Sequence, residues 1–397
     1  MKHIILFTLA ALIVTTFPLS VEAQDRQRAR DLGIETGILP TGNWNAITDV
    51  EGVLVGHKTR IEGDDIRTGV TAILPHSGNL FRDRVPAAVY VGNGFGKALG
   101  FTQVQELGEL ETPIALTNTL SVFDVASAVS DFVIDLDGNE NVRSVNPVVG
   151  ETNDGWLNNI RQKVISQQDV FDAIQAAITG PVDEGNIGAG TGTRALGFKS
   201  GIGTSSRIIP ENQGGYTVGV LVQSNFGGIL TVNGAPVGVE LGNHYLSGLT
   251  NLPKNELYAS DQNSYDYDVD GSVMIVVATD APITSRNLER LAKRAFMSIA
   301  RVGGFASNGS GDYVIAFSTH TDVRMPIDDS GSKFVNVELK NSEMTPLFLA
   351  AVEATEEAIL NSLFMAETMT GENGRTMEAI PIEETIEILK RYNAVNQ

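Results

Sequence analysis

The sequence predicts a single layered α/β domain. Three observations carry that expectation. Short β-branched runs and stretches of helical period are interspersed along the chain. No low-complexity linker or internal repeat divides it. Of its 397 residues, 42% are hydrophobic and 19% charged, which is a core-forming composition rather than a disordered one. The 41 glycines point to many tight turns and close backbone approaches. There is no cysteine, so disulfides, thiolate metal sites and a cysteine nucleophile are excluded. The net charge of −20 repels phosphate, so neither nucleic acid nor an anionic membrane surface is an expected partner.

The chain opens with Lys2 and His3, an apolar run from Ile4 to Val14 broken by Thr8, and Val21-Glu22-Ala23 with small residues placed for cleavage. This is the pattern of a signal peptide over residues 1–23, too short to span a bilayer, which needs about 20 apolar residues. A mature chain starting at Gln24 and a periplasmic or secreted location are expected.

Residues 24–30 are polar and are expected to fray. Val53 to Val55, Val70 to Leu74 and Ala87 to Val91 are β-branched pieces between glycine turns and read as strands. Val122, Val125, Ala126, Val129 and Val133 recur at helical spacing, and so do Val170, Ile174, Ala177 and Ile178. Tyr216 to Val222 reads as a buried strand, and residues 261–270 as an exposed polar loop. Val273 to Ala278 reads as a central strand. Leu288, Leu291, Ala292, Ala295, Phe296 and Ile299 form an apolar helical stripe opposite Arg286, Arg290, Lys293 and Arg294. Tyr313 to Phe317 is a further strand, and Leu347 to Ala366 a long amphipathic helix. The order shows no clean βαβ rhythm.

Generic motifs mostly fail. Gly188, Gly190 and Gly192 suggest a dinucleotide loop, but Thr193 stands where the third glycine belongs. Residues 192–199 suggest a phosphate loop, but Phe198 stands where lysine is required. A glycine-rich loop between packed backbones is the better reading. His57, His76, His244 and His320 lack metal-ligand spacing. Asp266, Asp268 and Asp270 alternate like calcium ligands but lack the turn glycine and closing glutamate of an EF-hand, so a solvated loop is expected.

The informative junction is Gly271-Ser272, where the polar loop meets the apolar strand. By itself, a serine after glycine at the start of a strand is a turn residue. The alternative has a chemical logic. Breaking the bond before Ser272 would give it a free α-amine of pKa about 7.7–8.0, a base beside its own hydroxyl.

Residues 271–282 resemble the self-processing site of the L-aminopeptidase/D-Ala-esterase/amidase and β-peptidyl aminopeptidase family. Further segments match that family in order: 48–56, 148–155, 188–193 with 198–207, 225–227 and 309–312. The resemblance runs from about Gly37 to Ala366. It implies a four-layer αββα sandwich of the N-terminal-nucleophile type, cut into an α chain (24–271) and a β chain (272–397) that stay together.

The resemblance also implies roles. Ser272 is the nucleophile released by cleavage after Gly271, Asn225 an oxyanion donor, and Ser310 with Asp312 a serine–acid pair beside the nucleophile. Many members carry glutamate where Asp312 stands. Glu151 is the carboxylate that binds a substrate's free amine. Read alone, Asn225 caps a turn, Glu151 is a surface charge, and Ser310 with Asp312 is a glycine-rich turn.

The implied activity is removal of an L-α-, D- or β-aminoacyl group from small peptides, amides and esters. The implied assembly is a tetramer of αβ units without metal or organic cofactor. Two alternatives stand beside it. One is an unprocessed secreted binding protein. The other is an ornithine-acetyltransferase-like enzyme, against which Ser272 and the leader both speak.

Overall fold

The computed structural model describes residues 26–247, 271–327 and 331–396. The expected leader (1–23) and the polar loop 261–270, with Asp266, Asp268 and Asp270, lie outside them. In chain order the strands are β1 (Leu54–Glu62), β2 (Ile66–Leu74), β3 (Asp83–Gly94), β4 (Glu109–Leu110), β5 (Ile114–Asn118) and β6 (Val148–Thr152). There follow β7 (Arg194–Ala195), β8 (Phe198–Lys199), β9 (Ile202–Ile208), β10 (Thr217–Asn225), β11 (Ser272–Thr279) and β12 (Gly311–Ser318), then β13 (Met325–Pro326), β14 (Met369–Thr370) and β15 (Thr376–Met377). The α-helices are α1 (Phe101–Leu107), α2 (Val122–Ile134), α3 (Gln167–Gln175), α4 (Val237–Glu240), α5 (Ser285–Arg301), α6 (Met344–Phe364) and α7 (Ile382–Arg391).

Two sheets form the centre. One runs β1-β2-β5-β6; the other runs β13-β3-β12-β11-β10-β9. Their facing surfaces share a core that includes Ile73, Ile114 and Leu116 from the first sheet and Leu221, Met274, Val276 and Ile315 from the second. Helices α2 and α3 cover the outer face of the first sheet through Val125, Val129, Val170 and Ile174. Helices α5 and α6 cover the outer face of the second. The layers are therefore α, β, β, α, as the resemblance implied.

Strand β11 shows how the sequence produces this. Val273, Ile275 and Val277 point to the helix side, and Met274, Val276 and Ala278 to the sheet side. Both faces are buried, so the strand reads as a continuous apolar run. The expected strands all form, and most run longer than their apolar kernels. β1, for instance, continues to Glu62 because its hairpin with β2 pairs Glu62 with Ile66.

Four expectations change. Two βαβ units are present: β5 and β6 are parallel across α2, and β11 and β12 are parallel across α5. Helix α3 stops at Gln175, and Ile178 instead pairs with Val55 across a β-bridge. Of the stretch expected to fray, the described residues 26–30 are tied down, because Arg28 donates to the carbonyls of Asn45 and Thr204 at 2.7 and 2.8 Å. Helix α6 is not amphipathic, because nearly every residue from Ala350 to Phe364 is buried. Its glutamates are neutralised from elsewhere in the chain. Glu357 takes Arg207 at 2.7 Å and Arg30 at 2.6 Å, Glu353 takes Arg207 at 3.3 Å, and Glu356 takes Arg301.

The loop at 188–193 is the close backbone packing expected of it. A Cβ at Gly190 would lie 2.3 Å from the Ile202 nitrogen.

Candidate active site

Ser272 is the first residue of β11 and is buried. It is flanked in register by Asn225, the last residue of β10, and Gly311, the first of β12. Residues side by side in adjacent strands point to the same face, so the Ser272 hydroxyl lies on the sheet-facing side with Met274. A Cβ at Gly311 would sit 3.2 Å from Ser272 Oγ.

The carbonyl of Gly271 is the most engaged group of the site. It accepts from Ser272 Oγ at 2.5 Å and from the Gly311 backbone N–H at 3.0 Å. Among the described residues that is the only hydrogen bond of the Ser272 hydroxyl. Position 271 also has no room for a side chain, because a Cβ there would lie 1.9 Å from the Asn225 carbonyl oxygen. Glycine at 271 is thus required by the space available.

Asn225 is held at both ends of its amide. Its Oδ1 accepts from the Arg194 backbone N–H at 3.1 Å, and its Nδ2 donates to the Asn153 carbonyl at 3.1 Å. An amide nitrogen carries two N–H donors, and this bond uses one.

Ser310 and Asp312 do form a pair: Ser310 Oγ donates to Asp312 Oδ1 at 2.6 Å. Both are buried, and Asp312 Oδ2 has no partner. Burial pushes the Asp312 carboxyl up to about 6, with the Ser310 hydroxyl acting the other way. Alternation along β12 puts Asp312 on the helix side with Val314, across the sheet from the Ser272 hydroxyl. The pair is thus one strand away and makes no hydrogen bond to Ser272 Oγ.

Glu151 is not a surface charge. It is buried in β6, where Oε1 accepts from the Lys97 backbone N–H at 2.8 Å and Oε2 from Thr119 Oγ1. The Lys97 ammonium stands 3.9 Å from Oε1. Gly96 lies between this carboxylate and the start of β12, the strand beside Ser272. A Cβ at Gly96 would be 3.1 Å from Glu151 Oε1 and 3.2 Å from Gly311 Cα. The Tyr313 hydroxyl pins that loop by donating to the Gly96 carbonyl at 2.9 Å.

Three features had no signal in spacing. Asp154 is buried with one carboxyl oxygen unpartnered, and burial pushes it up to about 7 against hydrogen bonds from Thr68 and Asn158. Lys199 is fully buried, donates to the carbonyls of Gly190 and Ser200, and is pulled down to about 7 by burial. Trp156 packs against two guanidinium groups, with Arg194 Cζ 4.4 Å and Arg375 Cζ 5.0 Å from its ring centre. The histidines make local bonds: His57 to Thr71, His76 to the Asp83 carbonyl, His244 to the Tyr245 carbonyl, and His320 to the Asp322 N–H.

The arrangement brings a hydroxyl against a carbonyl that already has a backbone donor, with a side-chain amide across from it and a buried carboxylate nearby. Such a constellation suits acyl transfer to a serine.

Comparison with known proteins agrees. Residues 45–377 match peptidase family S58. The beta-peptidyl aminopeptidase BapA of Sphingosinicella microcystinivorans is 42% identical over 92% of each chain. The beta-aminopeptidase structure from a Burkholderia species superposes with a TM-score of 0.81 at 38% identity, covering 92% of this chain and 99% of that one. The L-aminopeptidase D-Ala-esterase/amidase of Ochrobactrum anthropi, described as a prototype for the serine aminopeptidases and a variant of the Ntn hydrolase fold, superposes with a TM-score of 0.81. It is 35% identical, covering 93% of this chain and 99% of that one.

Proposed function

The chain belongs to peptidase family S58 and is a peptide-bond hydrolase of the Ntn hydrolase fold, and from that premise we propose that it is an exported aminopeptidase that activates itself by cleaving Gly271–Ser272. The observation that carries the proposal is the Gly271 carbonyl held between Ser272 Oγ and the Gly311 N–H. Ser272 Oγ attacks that carbonyl carbon, and the Gly311 N–H holds the oxygen as it becomes an oxyanion. The C–N bond breaks, the nitrogen gains the hydroxyl proton, and Gly271 becomes esterified to Oγ. Water then hydrolyses the ester, leaving a Gly271 carboxylate and a Ser272 free α-amine.

The same oxygen next attacks a substrate. The scissile carbonyl takes the place vacated by Gly271, with the Gly311 N–H and the second Asn225 N–H as donors. The Ser272 hydroxyl makes no hydrogen bond to Ser310 or Asp312, so the α-amine on its own residue is the better proton acceptor. It passes the proton to the leaving amine, and water releases the aminoacyl group. Ser310 and Asp312 position the end of the strand rather than take the proton. The leader 1–23 directs export, and α and β chains (24–271 and 272–397) assemble as tetramers of αβ units.

Glu151 receives the substrate ammonium. The Lys97 ammonium at 3.9 Å supports this, because the carboxylate already accommodates a cation on that side. Charge-assisted contacts of this kind contribute about 1.5–3 kcal/mol. Glu151→Gln is therefore expected to lower kcat/KM about 10–100-fold for a substrate with a free amine. An N-acetylated analogue should be refused by both forms. Equal kcat/KM in mutant and wild type would move the ammonium site elsewhere.

The pH dependence has two components. The α-amine must be unprotonated to act as base, so kcat/KM rises through about 8. Asp312, raised to about 6, is a pure acceptor for Ser310 only when ionised and can itself donate when protonated, so a second rise lies near 6. Asp312→Asn should remove the lower rise and keep the upper one. A lower rise that persists in this variant would assign it to another group.

A further inference from the structure

We infer that Lys97 and Glu151 together recognise an acyl group that carries a carboxylate on the same carbon as its free amine. The preferred substrates are then β-aspartyl amides and peptides. This rests on the aminopeptidase reading above and adds the substrate class.

Glu151 is buried, and its only cation among the described residues is the Lys97 ammonium, 3.9 Å from Oε1. That ammonium likewise has Glu151 as its only partner among the described residues, and the Lys97 side chain is 43% exposed. Its backbone is fixed, because the Lys97 N–H donates to Glu151 Oε1 at 2.8 Å and the Gly96 carbonyl takes the Tyr313 hydroxyl at 2.9 Å. The flexible four-carbon stem is therefore the part that can yield, and it can swing towards solvent.

A plain amine that binds Glu151 beside Lys97 puts two cations on one buried carboxylate, and they repel at that range. An amine with a carboxylate on the same carbon avoids this. Its ammonium takes Glu151 and its carboxylate takes Lys97, so the zwitterion inserts into the ion pair without changing the charge of the site. Every charge keeps a partner, as a buried site demands. The scissile carbonyl must meanwhile reach Ser272 Oγ, which lies beyond Gly96 and Gly311. In a β-aspartyl group the two charges share one carbon, and the carbonyl sits on a separate methylene arm. The charged head can thus face Lys97 and Glu151 while the carbonyl points to the nucleophile. In an α-aspartyl group the carboxylate is on the arm instead, one carbon further from the amine.

The test uses the processed enzyme and two anilides of the same shape: β-aspartyl p-nitroanilide, and its analogue with the free carboxylate replaced by a carboxamide. Their kcat/KM ratio does not depend on how much of each preparation is active. The wild type is expected to favour the acid about 10–100-fold. Lys97→Met should bring the ratio to one or below, because the substrate carboxylate then has no cation to meet. Lys97→Arg should retain part of the preference, because it keeps the charge. Equal kcat/KM for acid and carboxamide in the wild type would overturn the subsite. So would a loss in Lys97→Met that falls equally on both substrates, which would assign Lys97 to holding Glu151 alone. Cleavage of β-alanyl or α-alanyl p-nitroanilide with neither of the pair cleaved would overturn the subsite and leave the aminopeptidase reading intact. If the wild type cleaves none of the four, the aminopeptidase reading fails, and the subsite with it.

Discussion

Ser272→Ala is expected to yield one uncut chain with no measurable amidase activity. Loss of a serine nucleophile lowers kcat on the order of 10⁶-fold, down to what binding and oxyanion donors retain by themselves. The substitution removes one oxygen from a buried site, and the Gly311 N–H still has the Gly271 carbonyl to bond. Its effect on stability should thus stay within about 1 kcal/mol. Intact mass and a denaturation curve check both halves. An Ser272→Ala chain that is still cut at the same bond would remove the hydroxyl from the processing step. An unfolded one would mean that its hydrogen bond to Gly271 is structural.

The second large effect concerns stability. Glu357→Ala is expected to cost about 3–5 kcal/mol, because it leaves the fully buried Arg207 short of a counter-charge. Glu357 also accepts from Arg30 at 2.6 Å, Asn45 at 2.6 Å and Thr36 at 3.1 Å, so several donors lose their partner together. Burial by itself would raise the Glu357 carboxyl. The Arg30 hydrogen bond and the charges of Arg207 and Arg30 outweigh it and hold the group down to about 2. A depressed carboxyl contributes stability that is fully present above the ordinary glutamate range and is lost as pH falls from about 4 towards 2. Glu357→Gln should flatten that acid-side loss. Urea unfolding of the uncut Ser272→Ala chain is the suitable measurement, since it avoids separating two chains. A loss under about 1 kcal/mol would show that the arginines find other partners.

That cluster also shows where reading the sequence stops. The glutamates of α6 fall on a helical pattern and look like a solvent face. They are buried because Arg30 and Arg207, far away in sequence, fold over them. Arg28 and Arg30 look like a frayed start for the same reason. Spacing cannot reveal a counter-charge more than a hundred residues distant. By contrast, β10 and β11 are legible because both faces of each are buried, which leaves an apolar run over 273–278 and one broken only by Gly219 over 218–222.

The candidate site divides in the same way. Ser272, Asn225 and Glu151 came from ordered motifs, and the fold brings Ser272 and Asn225 into register with Glu151 nearby. The steric demand at Gly271 was invisible, since it depends on the Asn225 carbonyl across the strand. The stack of Arg194, Trp156 and Arg375 joins three separate stretches of chain. The pairing of Ser310 with Asp312 agreed with expectation, but its position across the sheet did not follow from a two-residue spacing without the strand's facing.

The most direct test of the central proposal is denaturing mass spectrometry with N-terminal sequencing of the expressed, full-length protein. Self-activation predicts two chains, the smaller one beginning Ser272-Val273-Met274. A single intact chain, folded and stable, would contradict it.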